Sequence, residues 1–213
     1  MNDAPRVVFD REEIANSISH GLGLVLALIA LPILVLSALR IGSTHFIVGA
    51  IVYGATMVLL YLASTLYHSS KHEPAKRFFR LFDHSAIFLL IAGTYTPFTL
   101  GVLRGAWGWT LLVIIWTLAI TGIVTKALHG TRHSWFTMTL YIVMGWLAIV
   151  AIKPMIELVP VPGIVLIFAG GVAYTGGLAF FAARSLRYGH FIWHLFVIAG
   201  TICHFFAVLW YAA

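Results

Sequence analysis

Seven stretches of this chain contain no Asp, Glu, Lys or Arg and are long enough to cross a bilayer: 14–39, 41–70, 84–103, 105–125, 133–152, 158–183 and 188–213. About 20 apolar residues in a helix traverse the hydrocarbon core. Inside that core no water is available to peptide groups, so the segments must satisfy their own backbone as helices. Hydrophobic residues make up 61% of the 213 and charged residues only 9%, where soluble domains average about 25% charged. Nearly everything is therefore span, and no sizeable soluble domain fits. The expected fold is an all-α membrane protein forming one domain over 1–213, with seven transmembrane helices at roughly 18–39, 45–68, 84–103, 107–126, 135–152, 163–183 and 190–211.

The basic residues orient this arrangement. With the N-terminus cytoplasmic and the C-terminus outside, the inner segments carry Arg6, Arg11, Lys71, Lys76, Arg77, Arg80, Lys126, Arg132, Arg184 and Arg187. The outer segments carry only Arg40, Arg104 and Lys153, a clear positive-inside bias. The formal charge of +6 has this origin, and no nucleic-acid partner is expected. The start, MNDAPRVVFDREE, mixes acids with bases and does not resemble the basic region of a cleaved signal peptide, so the first span is expected to stay. Lone Cys203 permits no intrachain disulfide. Segment 71–83 (KHEPAKRFFRLFD) is expected to be the one substantial loop, with a short interfacial helix after Pro74. Pro32 and Pro97 suggest kinks, and Gly170, Gly171, Gly176 and Gly177 suggest close packing of the sixth span.

The topology also gives every polar residue a depth. In the last span, His190 and His194 are four apart and share one helix face near its inner end. His68, four residues after Ser64, closes the second span at that level, and Asp83 and His84 open the third there. Glu13, Asn16 and His20 stand at the same level on the first span. Ionisable groups in a membrane face the bundle interior or a cavity, so these residues are expected to gather near the inner face.

Three histidines and a carboxylate at one depth supply a metal site: imidazole nitrogens bind zinc at about 2.0–2.1 Å, and three protein ligands leave a position open. Zinc acidifies water to a pKa of about 7, and Asp83 is the carboxylate that would hold that water and take its proton. Without a metal, each ring would be a core histidine bonded to a backbone carbonyl or a serine. The spacing alone leaves both readings open, and iron or manganese suits the same donors.

The series Glu13-x2-Asn16-x3-His20, Ser64-x3-His68, Asp83-His84, then Gly93 to Pro97 (GTYTP) and His190-x3-His194 resembles the hemolysin III family. These are bacterial relatives of the progestin and adipoQ receptors, which include the adiponectin receptors. The resemblance covers nearly the whole chain in order, and the Ser-x3-His, Asp and His-x3-His set is shared with a wider superfamily that includes alkaline ceramidases. It implies that His68, His190 and His194 are zinc ligands and that Asp83 is the acid beside the water. It implies that Ser64 bonds that water or a substrate carbonyl. Glu13, Asn16 and His20 are candidates to support the ligands; for Glu13 a capping box with Asp10 is an equal alternative.

Other polar residues are weighed lower. His204 lies about 15 Å along the helix from His194, too far to share an ion, and is expected to line a cavity or be a satisfied core residue. His45, His72, His129 and His133 are expected in or near loops, and His84 receives no role. Tyr95 and Pro97 are expected to shape the third helix. Trp107, Trp109, Trp135 and Trp210 suit the interfacial belt.

The function expected is a zinc-dependent intramembrane hydrolase of a lipid amide or ester, concerned with membrane-lipid homeostasis in a bacterial inner membrane. Membrane lipids are its environment and its candidate substrate. The main alternative is a non-catalytic regulator or receptor with a structural zinc. A pore-forming cytolysin fits less well, because seven apolar spans without a cleavable signal do not read as a secreted toxin. Transport would call for polar residues at several depths.

Overall fold

The structure, a computed structural model, describes residues 11–130, 134–183 and 185–213. Asp10 of the capping box, His133, and the orienting Arg6, Arg132 and Arg184 lie outside the described residues. Among those described, eight α-helices follow one another: α1 (Arg11–Ile41), α2 (Thr44–Ser69), α3 (Glu73–Leu100), α4 (Ala106–His129), α5 (Ser134–Trp146), α6 (Ile152–Leu158), α7 (Val161–Ala182) and α8 (Gly189–Tyr211). A 3-10 turn, Leu147–Ala151, joins α5 to α6, and no strand occurs among the described residues.

Six helical stretches are long and apolar enough to cross a membrane: Arg11–Ile41, Thr44–Ser69, Ala106–His129, Trp135–Leu158, Val161–Ala182 and Gly189–Tyr211. Their outward faces are apolar, with Ile18, Leu22, Val113, Leu128, Val161 and Phe168 all exposed, and the four belt tryptophans are exposed too. No aqueous protein tolerates that much uncovered apolar surface; here lipid covers it. The chain is a multi-pass integral membrane protein.

Three expectations change. Segment 71–83 is not a loop: from Glu73 onward it is the first turns of α3, continuous with the apolar part. Pro74 sits at the start of that helix, where its missing N–H costs nothing. The five residues 153–157, which separate the fifth and sixth charge-free stretches, are not a connector between spans but lie within α6. The expected seven spans become six by length and hydropathy, because Lys76, Arg77, Arg80 and Asp83 occupy the start of α3 and leave only 84–100 free of charge within the helix.

What α3 lacks in hydropathy it makes up in burial. It packs along α2 on one side and α4 on the other, and its hydroxyls are satisfied locally. Thr94 Oγ1 donates to Leu90 O at 2.8 Å, Thr96 Oγ1 to Ala92 O at 2.8 Å, and Thr99 Oγ1 to Thr96 O at 3.0 Å. Gly49 brings the α2 backbone against Pro97, with no room for a Cβ between them. Pro32 and Pro97 both lie inside helices that run through without a break.

The bundle closes on itself: α1 packs on α2, α2 on α3, α3 on α4, α7 on α8, and α8 returns to α1. Of the glycines expected to pack closely in α7, Gly170 faces the His204 ring and Gly177 faces Trp193, whereas Gly171 and Gly176 have ordinary room. A buried node ties α2, α7 and α8. Tyr61 Oη donates to Thr201 Oγ1 at 2.9 Å, Tyr174 Oη does the same at 2.9 Å, and Thr201 passes its own proton to Val197 O at 2.9 Å.

The wall formed by α5 and α6 is thinner. It is held by Tyr95 of α3, whose hydroxyl lies 2.8 Å from Met144 O and 3.1 Å from Gly145 O and accepts from Ala148 N at 2.9 Å. One phenol thus partners the backbone groups that the α-to-3-10 break leaves free. Tyr95 therefore serves α5 more than its own helix. Tyr95→Phe is expected to lower stability by about 1–2 kcal/mol, read as a lower unfolding midpoint in detergent.

Candidate metal centre

The end of α2, the start of α8 and the first turns of α1 meet at one end of the bundle, as the depth argument expects. Tyr188 adopts a left-handed φ of 61°, and α8 begins directly after it, placing His190 and His194 in its opening turns. His68 is in the last turn of α2. The three rings form a nearly equilateral triangle, with centroids 4.9 Å (His68–His190), 5.0 Å (His68–His194) and 4.7 Å (His190–His194) apart and every pair edge-to-face. One nitrogen from each ring lies within 4.8 Å of the other two. Two nitrogens sharing a zinc ion are at most about 4.2 Å apart, so small ring rotations suffice to close the triangle on an ion.

In two of the rings, His68 and His194, Nδ1 is already committed. His68 Nδ1 donates to Glu13 Oε2 at 2.9 Å, and Lys76 Nζ donates to Glu13 Oε1 at 3.1 Å. One carboxylate therefore links α1, α2 and α3. His194 Nδ1 donates to Asn16 O at 3.2 Å and lies 3.0 Å from Ser19 Oγ, which itself donates to Asn16 O at 2.9 Å. Fixing Nδ1–H on an oxygen leaves Nε2 as the lone-pair nitrogen, the arrangement found behind histidines that ligate metals. His68 Nε2 is buried and has no hydrogen-bond partner. This orphaned nitrogen in a residue only 1% exposed fits a metal and does not fit a self-satisfied core histidine.

The remaining sequence candidates lie around this triangle. Asp83 is buried on α3 and interacts with His68. Ser64, fully buried one turn before His68, points toward Asp83 without a well-formed hydrogen bond. Glu13 is bonded to His68 and Lys76, as the supporting reading expects. Asn16 reaches His194 through its backbone oxygen, while its side-chain Oδ1 is buried without a partner. His20 stacks on His194 at 3.4 Å with the rings 11° apart, and neither of its nitrogens is bonded. His204 is apart from the triangle: its Nδ1 donates to Gly200 O at 3.0 Å and its ring stacks on Tyr174.

A cavity of about 140 Å³ opens from the triangle into the bundle, lined by His20, Asp83, His84, Lys126, His190 and His194 at its polar end. Its body is apolar, with Leu60, Leu90, Ile91, Ile142 and Leu178 among the walls. A second hollow of about 100 Å³ adjoins it and shares Tyr95, Trp146 and His204 as lining residues. Sequence reasoning missed Lys126, which it used only as an orienting charge; a lysine on the helical face that also carries buried Gly122 and Ala119 was the available signal.

The family described as Haemolysin-III related matches residues 10–205. The chain is 51% identical over 203 residues to hemolysin-3 of Bacillus cereus, covering 95% of this chain and 93% of that protein. It is 46% identical over 201 residues to the hemolysin-3 homolog of Bacillus subtilis (strain 168), covering 94% of each. It is 26% identical over 210 residues to the human monocyte to macrophage differentiation factor, covering 92% of this chain and 83% of that one.

Removing the support behind His68 should loosen the metal without removing a ligand. Glu13→Ala is expected to weaken the binding of a divalent metal by about 10- to 100-fold, measured by competition with a chromophoric chelator. His68→Ala, His190→Ala and His194→Ala should each abolish stoichiometric binding in elemental analysis.

Proposed function

The chain belongs to the haemolysin-III related family, and from that premise we propose that it is a zinc-dependent intramembrane hydrolase that cleaves an amide or ester bond of a membrane lipid. The observation that carries this reading is the orphaned His68 Nε2 grouped with His190 and His194, two rings that line the polar end of an apolar cavity together with the buried Asp83 carboxylate. A purely structural cluster has no need of an apolar cavity leading to it.

Zinc, when bound, would supply a Lewis acid for the scissile carbonyl and acidify a water molecule. The residues supply the rest. His68, His190 and His194 hold the ion, with Glu13 and Asn16 O keeping two rings in the Nε2-ligating tautomer. Asp83 accepts the proton from the attacking water and returns it to the leaving nitrogen or oxygen as the acyl bond breaks. Ser64 hydrogen-bonds the water or the acyl oxygen. The apolar walls receive the acyl chain and exclude bulk water, which strengthens every charge interaction at the site.

In this reading α3 is the seventh span, admitted because its polar groups are buried, and the N-terminus is cytoplasmic. The site then opens at the inner leaflet of a bacterial plasma membrane, in a role of membrane-lipid homeostasis. A structural role for the metal has its own support, since Glu13 already joins α1, α2 and α3 around one ligand.

Purified protein loaded with zinc should release fatty acid from one member of a panel of lipid amides and esters, detected by mass spectrometry. Asp83→Asn should lower that turnover by about 100-fold or more with zinc content unchanged. Zinc-loaded protein that is inert on the whole panel, yet loses thermal stability on chelation, would make the ion a tie between helices.

A further inference from the structure

Lys126 is in the last turn of α4, where a basic side chain ordinarily answers the helix dipole and extends its ammonium to the interface. Arg77 and Arg80 are exposed in that way. Lys126 is not: it is 4% exposed and lines the cavity together with Asp83 and His84. Its ammonium has neither an ion pair nor a hydrogen bond among the described residues. Of the carboxylates at this end, Glu13 is engaged with His68 and Lys76, and Asp83, which lines the same cavity, makes no ion pair with Lys126. Arg80 lies near enough to add like charge to both Lys126 and His84. A buried cation with no counter-ion is costly, and an intramembrane ionisable group without a structural partner points to a ligand that supplies one.

We infer that Lys126 forms a head-group subsite of this cavity and that the lipid bound there is anionic, with a phosphate or carboxylate oxygen set against the ammonium. The chains would run along Leu90, Ile91, Ile142 and Leu178, which line the same space. As a statement about substrate this rests on the hydrolase reading, but the binding preference it sets is measurable without turnover.

Radiolabelled dioleoyl phosphatidate and oleate, with dioleoylglycerol as the uncharged reference, are titrated against the purified full chain in neutral detergent. Wild type is compared with Lys126→Met, Lys126→Gln and Lys126→Arg, each with and without chelation of metal. The expected result is that at least one anionic probe binds wild type about tenfold tighter than dioleoylglycerol. Lys126→Met and Lys126→Gln lose that preference, Lys126→Arg keeps it, and dioleoylglycerol binding is the same in all. The preference must survive chelation, which separates Lys126 from the metal as the anion's partner. Preference for phosphatidate assigns the subsite to a head-group phosphate, and preference for oleate alone assigns it to an acyl carboxylate. A wild type indifferent to charge, or neutral variants that keep the preference while melting like wild type, overturns the inference. A Lys126-dependent preference in a protein that hydrolyses nothing leaves the subsite standing and removes the enzyme; hydrolysis blind to head-group charge does the reverse.

Discussion

A polar ring nitrogen inside a bilayer has no water to turn to, so each one must find a partner within the protein or within something the protein binds. That constraint organises the end of this bundle where α1, α2 and α8 meet. The bond from His68 Nδ1 to Glu13 fixes the tautomer of one ring and, through Lys76, anchors the start of α3 to α1. The matching bonds from His194 to Asn16 O and Ser19 anchor α8 to α1. Because Nδ1 of His68 and of His194 is used to hold helices together, Nε2 of His68 is turned inward with nothing to bond. The architecture and the candidate chemistry thus come from the same set of imidazoles.

The rest of the polar inventory obeys the same rule in different ways. The threonines of α3 bond back along their own helix, Tyr61 and Tyr174 share Thr201, and His204 returns its Nδ1 proton to the preceding turn. These groups are self-sufficient and give the interior its rigidity. Among the described residues five buried polar atoms, on Asn16, His20, Ser64 and His68, are not satisfied, and all lie at the end of the bundle that holds the histidine triangle. An unsatisfied set confined to one place is a signature of binding rather than of poor packing.

Much of this was legible in the chain itself. Charge-free windows located the apolar helices, since exclusion of charge is a direct demand of the hydrocarbon core. The depth of each histidine followed from alternating direction, which is why residues as far apart as Glu13, His68 and His194 were placed at one level before their contacts were known. Two kinds of information were out of reach. Whether 71–83 is a loop or helix depends on α3 continuing into the aqueous boundary, and charge content alone does not report that. Where a lysine points is a matter of helix rotation against neighbours, so Lys126 read as an orienting charge although its side chain faces the cavity. The break between α5 and α6 was equally silent, because its backbone partner, Tyr95, lies on a different helix.

That break has a dynamic consequence. A 3-10 turn has poorer hydrogen-bond geometry than the α-helix on either side, and this one lies midway along the stretch Trp135–Leu158, with Ile149 and Val150 facing outward. Local opening in proteins begins where backbone bonds are weakest and packing is thin. The two hollows adjoin behind this turn, and the phenol of one tyrosine braces it. The slowest-exchanging amides should therefore lie in α2 and α3, and the fastest within the membrane at 147–151. A lipid tail entering sideways would find its least resistant passage there.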